Sequence, residues 1–469
     1  MELISPLDGM FLLGESREHP MHVAGLQLYK PPKGAGPEFI REVYQELLTR
    51  DDVSPTFRKH PGEVFGGISN LTWGFDRELD LEYHLRRSAL PAPGRIRELL
   101  ELTSRLHGTL LDRHRPLWET NLVEGLDDGR FAVYTKIHHS LLDGVSAMRT
   151  MRRALSTDPD DHQIRALWAD NSGSSKKRGV APSFMDNVTK ATESVVGLGP
   201  SVLHLARRGL MEQQLTLPFG APKTMFNVPI GGARRCAAQS WPIERFTAIK
   251  KESGVTLNDV VLAMCAGALR AYLLEQNALP DRPLIAMVPV SLRDDTSTGG
   301  NQVGALLANL APDMADPVRR LAAINTSMRN NKEVFSQLPK IQQMALSVFN
   351  VSPLVLELMP VLRSMAPPAF NLVISNVPGS REPLYWNGAQ LDGNYPFSIA
   401  LDGQALNITL SNNGDSLDFG LVGCRRSVPS LQRLLGHLDD SLADLEQAIG
   451  HTATKAPRRR RTTPSTKPR

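Results

Sequence analysis

FAVYTKIHHSLLDGVSAMRTMRRAL (131–155) is the stretch from which the rest of the chain can be read. The alternation over 131–137 predicts a strand that ends at His138 and His139, and the spacing of Val145, Met148, Met151 and Leu155 predicts a helix from Val145 onward. Between them stands HHSLLDG (138–144). With 12 histidines and 36 glycines in 469 residues, chance supplies only ~0.02 histidine pairs followed five residues later by glycine, and requiring Asp143 lowers this roughly twentyfold. Neighbouring side chains of a strand face opposite ways, so one histidine should be structural and the other reactive. A neutral imidazole is suited to take a proton from a hydroxyl near pH 7, provided a hydrogen bond at its other nitrogen fixes the tautomer. Asp143 is placed to cap the following helix or to pair with an arginine elsewhere, and Gly144 to permit a tight turn. The pattern alone leaves a second reading open, one packed and one solvated histidine beside an ordinary cap and turn. A metal site is not expected, since the two histidines diverge and no third ligand stands at suitable spacing.

Outward from this stretch, MHVAGLQLY (21–29) reads as a strand, and PEFIREVYQELLTR (37–50) and RIRELLELTSRLHGTLLDR (95–113) read as helices. Composition changes abruptly at DNSGSSKKRG (170–179), which we take as a boundary; a long surface loop inside one domain is the alternative. Residues 183–210 look helical with a break at Gly197–Pro200 and are expected to cross between halves. VTLNDVVLAMCAGALRAYLLEQ (255–276) predicts a buried helix capped by Thr256 or Asn258, RPLIAMVPVSLR (282–293) a strand, ALNITLSNNGDSLDFGLVG (405–423) a hairpin and 428–449 a last helix. The expected organisation is an α/β (α+β) half over 1–170, a linker with crossover helices over 171–220, a second half over 221–450 and a basic tail over 451–469.

The formal charge is +4, yet residues 455–469 carry seven basic residues and no acid. The body is therefore slightly acidic, and no nucleic-acid groove is expected in it. Cys236, Cys265 and Cys424 stand in no disulfide or zinc spacing, which favours a reducing, cytoplasmic compartment. Glu2, Asp8 and Glu15 sit where an export signal needs basic residues followed by an apolar core, and no run convincingly spans a bilayer, so neither export nor a transmembrane helix is expected.

HHSLLDG matches the HHxxxDG signature of the acyltransferase superfamily that includes chloramphenicol acetyltransferase, carnitine acyltransferases and peptide condensation domains. SPLDGMFLL (5–13), HPMHVAGL (19–26), RPLWE (115–119), LND (257–259), PVSLR (289–293), GGNQVG (299–304) and SNVPG (375–379) make the chain resemble the bacterial wax ester synthase/diacylglycerol acyltransferases over about residues 3–450. The resemblance implies two chloramphenicol-acetyltransferase-like halves, each a mixed sheet with flanking helices, and a substrate tunnel between them. It implies His139 as general base, His138, Asp143 and Gly144 as supports of the loop, and Arg293 as a structural partner of Asp143. It also gives Pro116, Leu117, Trp118, Asn258 and Asp259 a substrate-channel role. Taken alone, Trp118 reads as a buried tryptophan and Asn258 and Asp259 as a helix cap, and DFGLVG (418–423) reads as a strand ending in glycine.

The implied reaction is direct transfer from acyl-CoA, a substrate and not a cofactor, to diacylglycerol or a long-chain alcohol. No GxSxG elbow and no cysteine beside the histidines suggests a covalent acyl-enzyme. Lipid substrates and the basic tail imply peripheral contact with the inner face of the plasma membrane or with lipid bodies. The alternatives are another lipid or polyketide hydroxyl acceptor, or a lipid-binding protein of low turnover.

Overall fold

The computed structural model describes residues 2–62, 72–169, 220–291, 303–337 and 367–450. The first part runs β1 (Glu2–Leu3), α1 (Pro6–Gly14), β2 (His22–Lys30), α2 (Phe39–Leu48), β3 (Lys59–Pro61), β4 (Thr72–Phe75), α3 (Leu81–His84), β5 (Leu85–Ala89), α4 (Ile96–His107), β6 (Trp118–Glu124), β7 (Phe131–His138) and α5 (Gly144–Arg153). The second runs β8 (Arg234–Pro242), α6 (Ile243–Ser253), α7 (Leu257–Glu275), β9 (Ile285–Ser291), β10 (Val303–Asn309), α8 (Pro317–Gln337), β11 (Leu372–Ser380), β12 (Tyr385–Trp386), β13 (Ala389–Phe397), β14 (Leu406–Asn413), β15 (Ser416–Cys424) and α9 (Arg433–Ile449).

Two six-stranded sheets organise these elements, in the orders β12-β13-β2-β7-β6-β5 and β10-β9-β11-β14-β15-β8. Both are mixed: β5 and β6 run parallel in the first, as do β9, β11 and β14 in the second, while the other neighbours are antiparallel. The α+β class and the paired mixed sheets are as expected. The contiguity of the halves is not, because β12 and β13, far along the chain, complete the first sheet beside β2. The sequence hides this strand. AQLDGNYPF shifts register between Leu391 and Gly393 and carries Pro396, and both features resemble a loop more than a sheet strand.

The crossing strand also welds the two sheets together. Asn394 donates its N–H to Asp418 Oδ2 at 2.6 Å. A side chain at Gly420 would place Cβ 2.0 Å from the carbonyl of Pro396, so only glycine admits this approach. DFGLVG is accordingly part of β15, a structural strand, and burial holds the Asp418 carboxyl up at about 6.

Helix α7 carries the second core: every residue from Asp259 to Leu269 is buried. At roughly 1.5–3 kcal/mol for each fully buried aliphatic side chain, this run outweighs any surface contact in the half. Among the described residues α7 is also the one helix long and apolar enough to cross a membrane, with 67% of its apolar window buried inside the fold.

Helix α4 stops at His107, short of the expected 113. Side chains from the first sheet take the carbonyls that a longer helix would use. His22 Nε2 donates to His107 O at 2.9 Å, and the buried ammonium of Lys136 donates to Leu106 O at 3.2 Å and Thr109 O at 2.9 Å. A cation at the negative end of the helix dipole is favourable there. The segment at 183–210, expected to cross between the halves, lies outside the described residues.

Candidate active site

Strand β7 ends at His138, whose residue partner on β2 is His22. The backbone beyond the strand is strapped on both sides. Leu117 O, in the RPLWE segment, accepts the N–H of His138 at 3.0 Å, and Met21 O, in HPMHVAGL, accepts the N–H of His139 at 2.8 Å. Asp143 then starts α5 as its N-cap, accepting the Ser146 N–H at 2.7 Å. Gly144 is the first helical residue.

The two histidines differ as their alternation predicts. His138 is fully buried, and its Nδ1 accepts the Ser140 N–H at 3.1 Å and the Ser140 hydroxyl at 2.6 Å. A nitrogen that accepts from a main-chain N–H carries its lone pair there, so neutral His138 holds its proton on Nε2. That Nε2 faces Glu15 Oε1 at 3.3 Å, too far off line for a hydrogen bond, an electrostatic contact between side chains that are 0% and 2% exposed. Burial pushes the Glu15 carboxyl up, but His138 and Arg113 together outweigh it and hold it below the ordinary range. Arg113 Nε donates to Glu15 Oε2 at 3.0 Å.

His139 is partly exposed and carries no such ties. Its ring lies flat on Phe11, centroids 4.2 Å apart and planes 20° from parallel. Its Nδ1 is sealed from solvent, with no hydrogen-bond partner among the described residues. Burial lowers its pKa from 6.5 to about 4; the charge of Asp143 and the ring's own main-chain carbonyl pull upward, and His138 pushes down. His139 is thus a neutral imidazole throughout the physiological range, a group able to accept a proton. The expected hydrogen bond that would fix its tautomer is instead found at His138. At His139 the ring is held by its stack on Phe11.

A small cleft of about 40 Å³ lies between the first sheet and α5, lined by Gln27, Tyr29, Thr135, Met151, Trp168 and Trp386 among others. It is bounded by the first half's elements and β12, and neither motif histidine lines it. Met151 reaches the sheet because Gly25 lies beneath it, where a Cβ would stand 2.7 Å from its Sδ. From the second sheet, Val377 of SNVPG packs on Met148 and Met151, so the two halves meet at the helix that follows the motif.

The other expected site residues are placed as follows. Pro116, Leu117 and Trp118 are buried and stand in the wall behind the motif. Trp118 stacks on His84 and Trp168, and its Nε1 donates to Phe57 O at 2.9 Å. Asp259 accepts from Thr256 N–H at 2.9 Å, Thr256 Oγ1 at 2.8 Å and Asn325 Nδ2 at 2.8 Å, which is a capping box extended to α8. Asn258 is partly exposed on the first turn of α7. Arg293 lies outside the described residues. Sequence reasoning did not assign site roles to Phe11, Glu15, Arg113 or Ser140. The four-residue spacing of Phe11 and Glu15 was available as a signal of a shared helical face, but not what that face touches.

Known proteins are similar to this chain in sequence and fold. Residues 4–261 match the family model described as the wax ester synthase/diacylglycerol acyltransferase catalytic domain, and residues 299–446 match the WS/DGAT C-terminal domain. The chain belongs to the wax ester synthase/diacylglycerol acyltransferase family. A Mycobacterium tuberculosis protein named as a probable diacylglycerol O-acyltransferase is 60% identical over 453 residues, covering 96% of this chain and 100% of that protein. The solved wax ester synthase/diacylglycerol acyltransferase of Marinobacter aquaeolei VT8 is 40% identical, with a TM-score of 0.80 over 96% of this chain and 100% of that one. Beyond the family, the first condensation domain of the CDA synthetase shares the fold, with a TM-score of 0.57 at 15% identity over 96% of this chain and 97% of that one. Family membership covers the segments that converge here: the α1 segment, Met21, Leu117 and the HHSLLDG loop all fall within residues 4–261.

Proposed function

We propose that this chain is an O-acyltransferase that moves a fatty acyl group from acyl-CoA to the free hydroxyl of diacylglycerol, and to a long-chain alcohol as a second acceptor. The observation that carries the reading is His139, a neutral, partly exposed imidazole whose Nδ1 is sealed while the rest of its ring reaches the accessible side. Its Nε2 takes the acceptor's hydroxyl proton as the oxygen attacks the thioester carbonyl. Collapse of the tetrahedral intermediate breaks the C–S bond, and the imidazolium returns its proton to the departing coenzyme A thiolate. Burial pushes the Cys236 and Cys265 thiols up to about 12, so neither competes as a nucleophile near neutral pH. The names of the family relatives support diacylglycerol and alcohol as acceptors.

The test is thin-layer separation of products from purified protein given labelled palmitoyl-CoA with diacylglycerol or hexadecanol, beside His139→Ala. Labelled triacylglycerol or wax ester from the wild type alone is the expected result. A folded wild type without either product moves the acceptor to another hydroxyl. The same reading includes peripheral contact with membrane or lipid bodies, supported by lipid substrates and the seven basic residues of 455–469. Equal flotation on anionic vesicles by the full chain and by one ending at Gly450 would remove the tail from that role.

A further inference from the structure

We propose that Phe11 and Glu15, one helical turn apart on the α1 segment, are positioning residues of this reaction that clamp the two motif histidines. The inference rests on the reading of His139 as base.

The clamp is built from its sequence. Ser5 caps α1 by accepting the Asp8 N–H at 3.1 Å, and Pro6 opens the helix where its missing N–H costs nothing. Leu12, fully buried with Ile4, Trp73, Leu111 and Leu117, anchors the helix. Arg113 donates to the carbonyl of Leu12 and to Glu15 Oε2, so the last turn and its carboxylate are held by one guanidinium. The side chains at 11 and 15 then reach different histidines.

Glu15 acts through two routes. Its Oε1 faces His138 Nε2 and also accepts the Met21 N–H at 3.3 Å, while the carbonyl of the same Met21 accepts the N–H of His139. A change at Glu15 therefore reaches both the ring of His138 and the backbone of His139. Phe11 covers one face of the His139 ring and keeps water from it. The charged groups that act on His139 among the described residues are His138 and Asp143 on its own loop; behind His138 stand Glu15 and Arg113, with His22 on β2 and Lys136 on β7 in the same sheet. Among these, Phe11 contributes no charge; it acts on His139 by excluding solvent.

Two readouts test the clamp on the full-length protein. The first is the titration of the His139 ring, followed by NMR with labelled histidine and assigned by the signal lost in His139→Ala. Phe11→Ala should raise that midpoint from about 4 toward the ordinary 6.5, and Phe11→Tyr, which keeps the ring, should leave it low. The second is steady-state transfer, in which Glu15→Gln should lower kcat by up to about 100-fold with little change in KM, as expected for a displaced base. An unshifted His139 titration in Phe11→Ala, or full kcat in a folded Glu15→Gln protein, overturns the inference. A wild type that makes no product while its Phe11→Ala titration shifts overturns the functional reading and leaves the clamp standing as a structural arrangement of the pair.

Discussion

The two sides of the end of β7 are built on opposite principles. On the side of His138, polar groups are densely linked: Ser140 bonds the ring at Nδ1, and Glu15, paired with it electrostatically, accepts from Arg113 and Met21. On the side of His139, one aromatic face and an unpartnered nitrogen replace that network. A satisfied buried network rigidifies its members, whereas a dry, sparsely bonded imidazole keeps its basicity unspent. Adjacent residues of one type thus divide the labour of holding and reacting, and the surroundings decide which does which.

The sharpest way to break this contrast is His139→Ala. Transfer should fall by about 10²- to 10⁴-fold, the range for a removed general base, while the melting temperature stays near wild type because no hydrogen bond of the side chain is lost. His138→Ala should do the reverse in emphasis. It strands Glu15 and Ser140 in a buried site, and a loss of about 1–3 kcal/mol should appear as a lower denaturant midpoint at unchanged slope. Asp143→Ala removes the cap of α5 and should cost about 0.5–2 kcal/mol together with activity, because the loop it closes carries the base. The smallest effect is expected from pH. With His139 titrating near 4, kcat/KM should stay flat between pH 6 and 8, and an acid limb close to 6.5 would refute the assignment. Stability moves in the same direction: below pH 6.5 the unfolded chain binds a proton at His139 that the folded one refuses, so stability falls as pH drops toward 4. The lowered carboxyl of Glu15 adds to the loss further into acid.

Much of this was legible because it is local. The strand over 131–139 and the helix over 145–155 end within about two residues of their observed bounds, since alternation and helical spacing are properties of contiguous residues. The hairpin at 405–423 was marked by its asparagine and glycine turn for the same reason. The end of α4 was not legible, because it depends on His22 and Lys136 donating from another element. Nor was the reach of Phe11 and Glu15, which meet the histidines only after α1 has docked on Leu117 and Leu111. The motif announced a chemistry; the groups that tune it are brought in by tertiary packing.

The crossing of β13 into the first sheet has a consequence for how the protein is made. Lys30 of β2 and Asp392 of β13 pair at a separation of 362 residues. At synthesis rates of about 5–20 residues per second, β2 leaves the ribosome tens of seconds before its neighbour does. For that interval one edge of the sheet that carries the histidine pair stands open, and open edges invite pairing with other chains. Shortening the wait, by faster codons across the second half, should raise the yield of folded protein.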